Sequence, residues 1–279
     1  TSLTDVTGVQ TCALPILPLD VPGFIASLGL PDGCRVDQRV PKKLLLENGA
    51  PTAADKRLIA DTVEEIQWVA ALKPNTIGVP DYRDESREYL EIAVLAVTLR
   101  RPSEGGKAKP TNPARLAELV HRAVPYPVLL LLHSEQRLML SLAHKRWAQS
   151  EAGKVVLDGG MVSMSLPEDA PSLDALNAFV QAIALTRQPR STLFALYQGW
   201  MDSAQALLAA KLTGTFKTAD SAEHAAARRH ALQECARLEA EAACLRTQAG
   251  KEKQLARQVE LNLALKRVLA QLAATRQQL

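Results

Sequence analysis

The sequence predicts an α/β body, a mixed sheet with flanking helices, followed by a C-terminal α-helical hairpin of coiled-coil type. Two observations predict it. Up to residue 212 the apolar spacing runs helix, strand, helix, strand, strand, then a further hairpin and two helices, the order expected when helices pack on a sheet. From about Ser221 the composition changes: Ala, Gln, Arg and Glu dominate and strand formers nearly vanish. The expected boundaries are 17–216 for the body and 221–279 for the hairpin, with Thr213–Asp220 between them.

Residues 1–16 are set aside. Residues 6–16, VTGVQTCALPI, read as the translation of a sequencing-adapter string, so the native chain is expected to begin near Leu17. The apolar stretch that follows has no basic segment ahead of it and is interrupted by Pro18 and Pro22, which argues against a secretory leader.

The first expected helix runs from about Ala54 to Leu72, because Leu58, Ile59, Val63, Ile66, Val69 and Ala70 follow helical spacing and Pro74 then ends it. Thr76–Val79 reads as extended. Tyr89–Leu99, YLEIAVLAVTL, reads as a buried strand. The Gly/Pro/Lys stretch Arg101–Pro113 reads as a mobile loop. Ala114–Ala123 carries Leu116, Leu119 and Val120 on one helical face. Val128–Leu132, five aliphatics in a row, reads as a strand buried on both sides. Arg137–Ala143 alternates Leu138, Leu140 and Leu142 and is expected to pair with it. Lys154–Leu157 and Met161–Leu166 flank Asp158-Gly159-Gly160, which predicts a tight hairpin. Leu173–Ile183 and Thr192–Leu212 read as helices.

In the C-terminal part, Ala231, Cys235, Leu238, Ala242 and Leu245 step by four and three. Leu261, Leu265, Val268, Leu272 and Leu279 form a matching seam, with Leu261, Leu265, Val268 and Leu272 as the expected assembly residues. Gly250 is expected to divide the two helices, with a single kinked helix as the alternative.

Charge and cysteine content narrow the function classes. A formal net charge of +3 does not demand nucleic acid, and 4% aromatics argues against a stacking surface for single strands. No apolar run reaches the roughly 18–20 residues that span a bilayer. With Cys12 set aside, Cys34, Cys235 and Cys244 show no ligand spacing, and a cytoplasmic, reducing setting is expected with Cys235 and Cys244 packed as small hydrophobes. No metal site and no cofactor are expected. No GxSxG elbow, no GxxxxGK[ST] loop and no acidic-x-Lys pair on the Val128–Leu132 and Arg137–Ala143 strands can be found. Glu64 and Glu65 are expected on a solvated helix face and Glu91 in a strand.

Three polar clusters are candidate contacts for a partner or for phosphate. Arg39, Lys42 and Lys43 lie beside Asp37. His144, Lys145 and Arg146 follow an apolar strand and are expected to emerge at a sheet edge, either as an ordinary charged strand end or as contacts to phosphate or an acidic surface. Lys251, Lys253 and Arg257 make the start of the last helix basic, which suits either phosphate tracking or a coiled-coil flank. A denser group, Asp81 to Glu88, mixes both signs and reads as local ion pairs, with a docking surface as the alternative.

The strings CRVDQRVPKKLLLENG (34–49), LKPNTIGVPDYRDESREYLEI (72–92), VPYPVLLLL (124–132), LSLAHKRWA (140–148), LYQGW (196–200) and KEKQLARQVELNLALK (251–266) resemble a bacterial family catalogued as domain of unknown function 4391. The resemblance implies genomic company with helicases and DNA methyltransferases of restriction-modification-like antiphage loci, an association and no mechanism. The expectation is a non-catalytic accessory subunit that docks such an enzyme and contacts DNA, with no membrane role. The alternatives are a divergent metal-dependent nuclease and a self-associating structural protein that dimerises through its coiled coil.

Overall fold

A computed structural model describes residues 20–101, 112–134, 137–149 and 154–279. The adapter-like residues 1–16 and most of the Arg101–Pro113 loop lie outside the described residues.

In chain order the elements are α1 (Val21–Ser27), β1 (Arg35–Arg39), α2 (Lys42–Asn48), α3 (Ala53–Thr62), β2 (Val63–Leu72), α4 (Pro74–Ile77), β3 (Tyr82–Arg83), β4 (Glu88–Tyr89), β5 (Ile92–Leu99), α5 (Pro113–Ala123), β6 (Val128–Ser134), β7 (Arg137–Trp147), β8 (Val155–Leu166), α6 (Leu173–Ala182), α7 (Leu193–Thr213), α8 (Ala222–Lys251) and α9 (Leu255–Arg276). Six strands form one sheet in the order β1-β2-β5-β6-β7-β8. Only the β5–β6 pair is parallel, which is why α5 must cross between them. The sheet is therefore mixed, with helices on both faces, and the α/β class holds.

Alternation along β6 shows how the sheet divides the core. Leu129 and Leu131 face Phe179, Leu196, Tyr197 and Trp200 of α6 and α7. Val128, Leu130 and Leu132 face Leu116, Leu119 and Val120 of α5 and Ile59 of α3. A central strand buried on both sides needs an unbroken aliphatic run, and VLLLL supplies it. Gly49, ending α2, lets that helix lie against α5: a Cβ there would stand 2.5 Å from Leu119 O and 2.8 Å from Ala123 Cβ.

Three sequence expectations are corrected. The helix expected over Ala54–Leu72 ends at Thr62, and Val63–Leu72 is strand β2. Irregular register at Val63/Glu65 and again at Trp68/Ala70 breaks the two-residue alternation of β2. Extra residues at such bulges turn a strand's period of two into an apparent period of three, which mimics a helix. Thr76–Val79 is not extended, because α4 covers it as far as Ile77 and Gly78 closes it at φ 64°. Asp158-Gly159-Gly160 makes no hairpin: β8 runs straight through it and pairs with β7 on both sides of the irregularity.

The C-terminal part is a pair of packed helices. Cys235, Leu238 and Ala242 of α8 meet Val268 and Leu272 of α9, with Leu245, Leu265 and Leu279 alongside. Gly250 does not divide them. It lies inside α8, and the break falls at Glu252, whose carboxylate accepts from the backbone N–H groups of Lys253 (2.7 Å) and Gln254 (2.8 Å) and so turns the chain. Cys244, expected to be packed as a small hydrophobe, is exposed.

Candidate functional site

The irregularity of β8 builds the most polar part of the interior. Leu142 pairs with Val162 but His144 pairs with Asp158, so β8 holds two more residues than β7 over this stretch. Gly159 takes them up at φ 73°, a conformation glycine adopts without a Cβ clash. On β7 the alternation of Leu138, Leu140 and Leu142 carries on to His144, which lies on the same face among Tyr89, Phe194 and Tyr197.

A chain of hydrogen bonds fixes the imidazole. Gln198 Nε2 donates to Asp202 Oδ1 (2.8 Å), which orients the carboxamide with its oxygen toward His144. His144 Nε2, 2.8 Å from that oxygen, therefore carries the proton. Nδ1 is left to accept from the Tyr89 hydroxyl at 2.5 Å, and that hydroxyl accepts in turn from the Lys145 backbone N–H. Burial is the main reason the His144 pKa falls to about 4, with the Gln198 bond acting against it. Burial likewise raises the Tyr89 phenol. Both ring nitrogens are engaged, so the neutral imidazole holds Gln198 and Tyr89 in place and presents no free base.

The chain continues into α8. Arg229 Nη1 donates to Asp202 Oδ1 at 2.9 Å and ties α8 to α7. Burial raises the Asp202 pKa, while Gln198 and Arg229 hold it down. Between the β8 bulge, α7 and α8 lies a cleft of about 480 Å³, whose polar lining includes Asp158, Gln198, Gln205, Arg229 and Gln233. Asp158 is itself taken up by Arg87 (3.1 Å) and Arg146 (3.5 Å).

The other face of β7 carries a buried amine. Lys145 is 3% exposed, and its Nζ donates to the His121 and Val124 carbonyls at the C-terminus of α5. Those carbonyls are among the acceptors a helix end leaves without an internal partner. Burial lowers the Lys145 pKa to about 7. Behind it, fully buried His121 has Nε2 3.0 Å from Ser141 Oγ, which accepts from Ser163. Burial, with Lys145 adding to it, brings the His121 pKa to about 3.

The structure thus separates the residues expected to emerge together at a sheet edge. His144 goes to one face of the sheet, Lys145 to the other, and only Arg146 stays half exposed, on Asp158. In the first basic cluster Lys42 donates to Val63 O (2.5 Å), Arg39 pairs with Glu65 and Lys43 pairs with Glu47. Arg39 and Lys43 remain exposed, but Lys42 works as an internal tie. The Asp81–Glu88 group closes the β3–β4 hairpin: Asp84 accepts from Ser86 and Arg87, and Arg83 pairs with Glu88. Glu64 and Glu65 lie on β2 and not on a helix, and Glu91 pairs with Lys73 at 3.1 Å. No group of three His, Cys, Asp or Glu able to hold a metal ion occurs among the described residues.

On α9 the expected seam is used internally. Leu265, Val268 and Leu272 pack on α8, while Leu261 is half-buried outside that cluster, near the end where α8 offers the small Ala249. Lys251, Lys253 and Arg257 are exposed. Leu255 (75% exposed), Val259 and Leu263 form a second apolar line at i, i+4 and i+8 that faces solvent. Sequence reading missed this line, because a seam of leucines already accounted for the helix. It also missed Gln205, whose only signal is a carboxamide directly ahead of the apolar run ALLAA on α7.

The profile of the family described as domain of unknown function 4391 matches residues 28–272. The chain belongs to this family. The match runs from the end of α1 into the last turns of α9, so it takes in the sheet, the cleft and the helical hairpin alike. No curated protein and no solved structure matches the chain. No helix among the described residues is long and apolar enough to cross a membrane.

Proposed function

We propose that this member of the family is a non-catalytic accessory subunit of a restriction-modification-like antiphage complex, docking a helicase or DNA methyltransferase subunit through α9. The observation that supports the reading is the second apolar line of α9. Its inner seam is already satisfied by α8, yet Leu255, Val259 and Leu263 stand exposed along two further turns. Contiguous apolar surface of this kind marks a protein contact more often than chance exposure does.

Charge chooses the occupant. From Leu255 to Arg276, α9 has four cations, Arg257, Lys266, Arg267 and Arg276, against the single carboxylate of Glu260. Arg257 is paired with Glu260 and Arg276 with Glu239, and among the described residues Lys266 and Arg267 have no ion pair. A second copy of α9 would bring like charges together. An apolar helix edged with acidic residues, on the partner subunit, fits both the line and the charge.

The test is co-expression with the products of the neighbouring genes. The triple substitution Leu255→Glu, Val259→Glu, Leu263→Glu should leave the melting temperature within a few degrees and abolish co-purification. Retained co-purification and retained phage resistance would defeat the reading. A wild-type dimer that the triple variant dissolves would support self-association in its place, and salt-sensitive retention on DNA lost with Lys266→Glu and Arg267→Glu would support a DNA contact.

A further inference from the structure

The cleft between the β8 bulge, α7 and α8 stands apart from the docking face of α9 and contains an unmet hydrogen-bonding need. Gln205 is 7% exposed and lines the cleft, and its Oε1 is buried without any hydrogen-bond partner. A buried acceptor left without a partner costs about 1–3 kcal/mol, so a polar site of this kind is completed by what enters it.

We propose that this cleft binds a neutral, planar ligand bearing a lactam edge, the adjacent ring N–H and C=O of an oxo-nucleobase. Three features select that chemistry. The charged side chains at the cleft are already committed, Arg229 to Asp202 and Asp158 to Arg87 and Arg146. An anion would have to take Arg229 from a partly buried carboxylate, and a cation would have to take Asp158 from two arginines, so a neutral ligand is preferred. A carboxamide pairs best with a group that offers a donor and an acceptor side by side. A lactam does so in either orientation of the Gln205 amide, whereas a trans peptide bond points its N–H and C=O in opposite directions.

The walls supply apolar surface for a ring. Met161, Met201, Leu208 and Leu232 supply apolar surface around the carboxamides. A Cβ placed on Gly159 or Gly160 would meet nothing within 4 Å, so the bulge presents bare backbone to open space. The volume of about 480 Å³ lies within the range of small-molecule sites, roughly 300–1,000 Å³. Gly160, unlike Gly159, has an ordinary φ, so a side chain introduced there extends into the opening without backbone strain.

The experiment is calorimetric titration of the full chain with uridine and inosine, which carry the lactam edge, and with 3-methyluridine and adenosine, which do not present it. Uridine and inosine should bind, with 3-methyluridine weaker by about tenfold or more, the worth of one hydrogen bond. Gln205→Leu should weaken uridine by a similar factor. Gly160→Leu, which touches no core residue, should block it if Gln205→Leu fails to fold. Equal binding of uridine and 3-methyluridine, no binding of any nucleoside at millimolar concentration, or unchanged binding in a folded Gln205→Leu or Gly160→Leu protein would each overturn the proposal. None of these outcomes bears on whether α9 docks a partner.

Discussion

Replacing Lys145 by Met tests how the sheet is fastened to α5. The substitution nearly conserves volume but removes both bonds from Nζ to the His121 and Val124 carbonyls. Two acceptors left without partners at about 1–1.5 kcal/mol each predict a loss of about 2–3 kcal/mol when the amine is neutral. The loss should depend on pH. The folded pKa is about 7, against 10.5 for an ordinary lysine, so between those values the unfolded chain holds the proton and the folded chain releases it. Stability from this group is complete above the unfolded value and is lost as pH falls through the folded one. The wild type should therefore gain about 2 kcal/mol on the variant between about pH 7 and pH 9, at up to about 1.4 kcal/mol per unit. His121, held at about 3, stays neutral throughout that window and does not blur the reading. Urea denaturation of both proteins across the range measures the difference. Parallel stability profiles would refute the reasoning, since they would mean that Nζ finds solvent and keeps its charge.

Leu130→Asp should abolish cooperative melting, because Leu130 is fully buried in a strand covered on both sides and an unpaired charge there costs several kcal/mol; a soluble, cooperatively folding variant would contradict this. Gly49→Ala should lower stability by about 1–3 kcal/mol in chemical denaturation, since its Cβ must push α2 away from Leu119 and Ala123 of α5. The His144 pKa of about 4 lies below the free value of 6.5, so its contribution is present above 6.5 and is lost as pH falls through 4. Acid titration followed by circular dichroism should show the wild type losing on the order of 3 kcal/mol over that window relative to His144→Gln, and an identical acid limb in the two would show that the imidazole is not buried neutral.

Where the local pattern and the tertiary contacts agree, the elements were legible. VLLLL could be read as a strand covered on both sides because a run of five aliphatics just after Pro127 is too short for a buried helix. The α8–α9 pair could be read from its four-and-three spacing. The failures share a cause as well. At β2 and β8 the departures from regular pairing change the period, and both places were misread, one as a helix and one as a turn. A bulge is stabilised by the neighbouring strand and leaves little trace in the residues that form it. His144 continues the alternation of Leu138, Leu140 and Leu142, and its burial was hidden because Phe194 and Tyr197, which cover it, lie far along the chain. Lys145 reads as a solvated cation until α5 is known to end above it. α1, β1 and α2 are short, and their packing partners lie far along the chain.

One helix links the two sites of interest. Arg229, Leu232 and Gln233 of α8 wall the cleft, while Cys235, Leu238 and Ala242 of the same helix carry α9. The helix is fastened to α7 by the Arg229–Asp202 pair, itself part of the chain through Gln198 to His144. Asp202 would be an uncompensated, partly buried carboxylate without Arg229, so the pair is far more costly to break than an exposed one. The α8–α9 seam sets small Cys235 and Ala242 opposite Val268 and Leu272, which lets the two helices approach closely along much of their length. α8 is thus held on the cleft side by an ion pair and on the α9 side by a long apolar seam. A partner helix laid along Leu255, Val259 and Leu263 would add apolar burial on the face of α9 that α8 leaves open, and leave the cleft walls where Arg229 sets them.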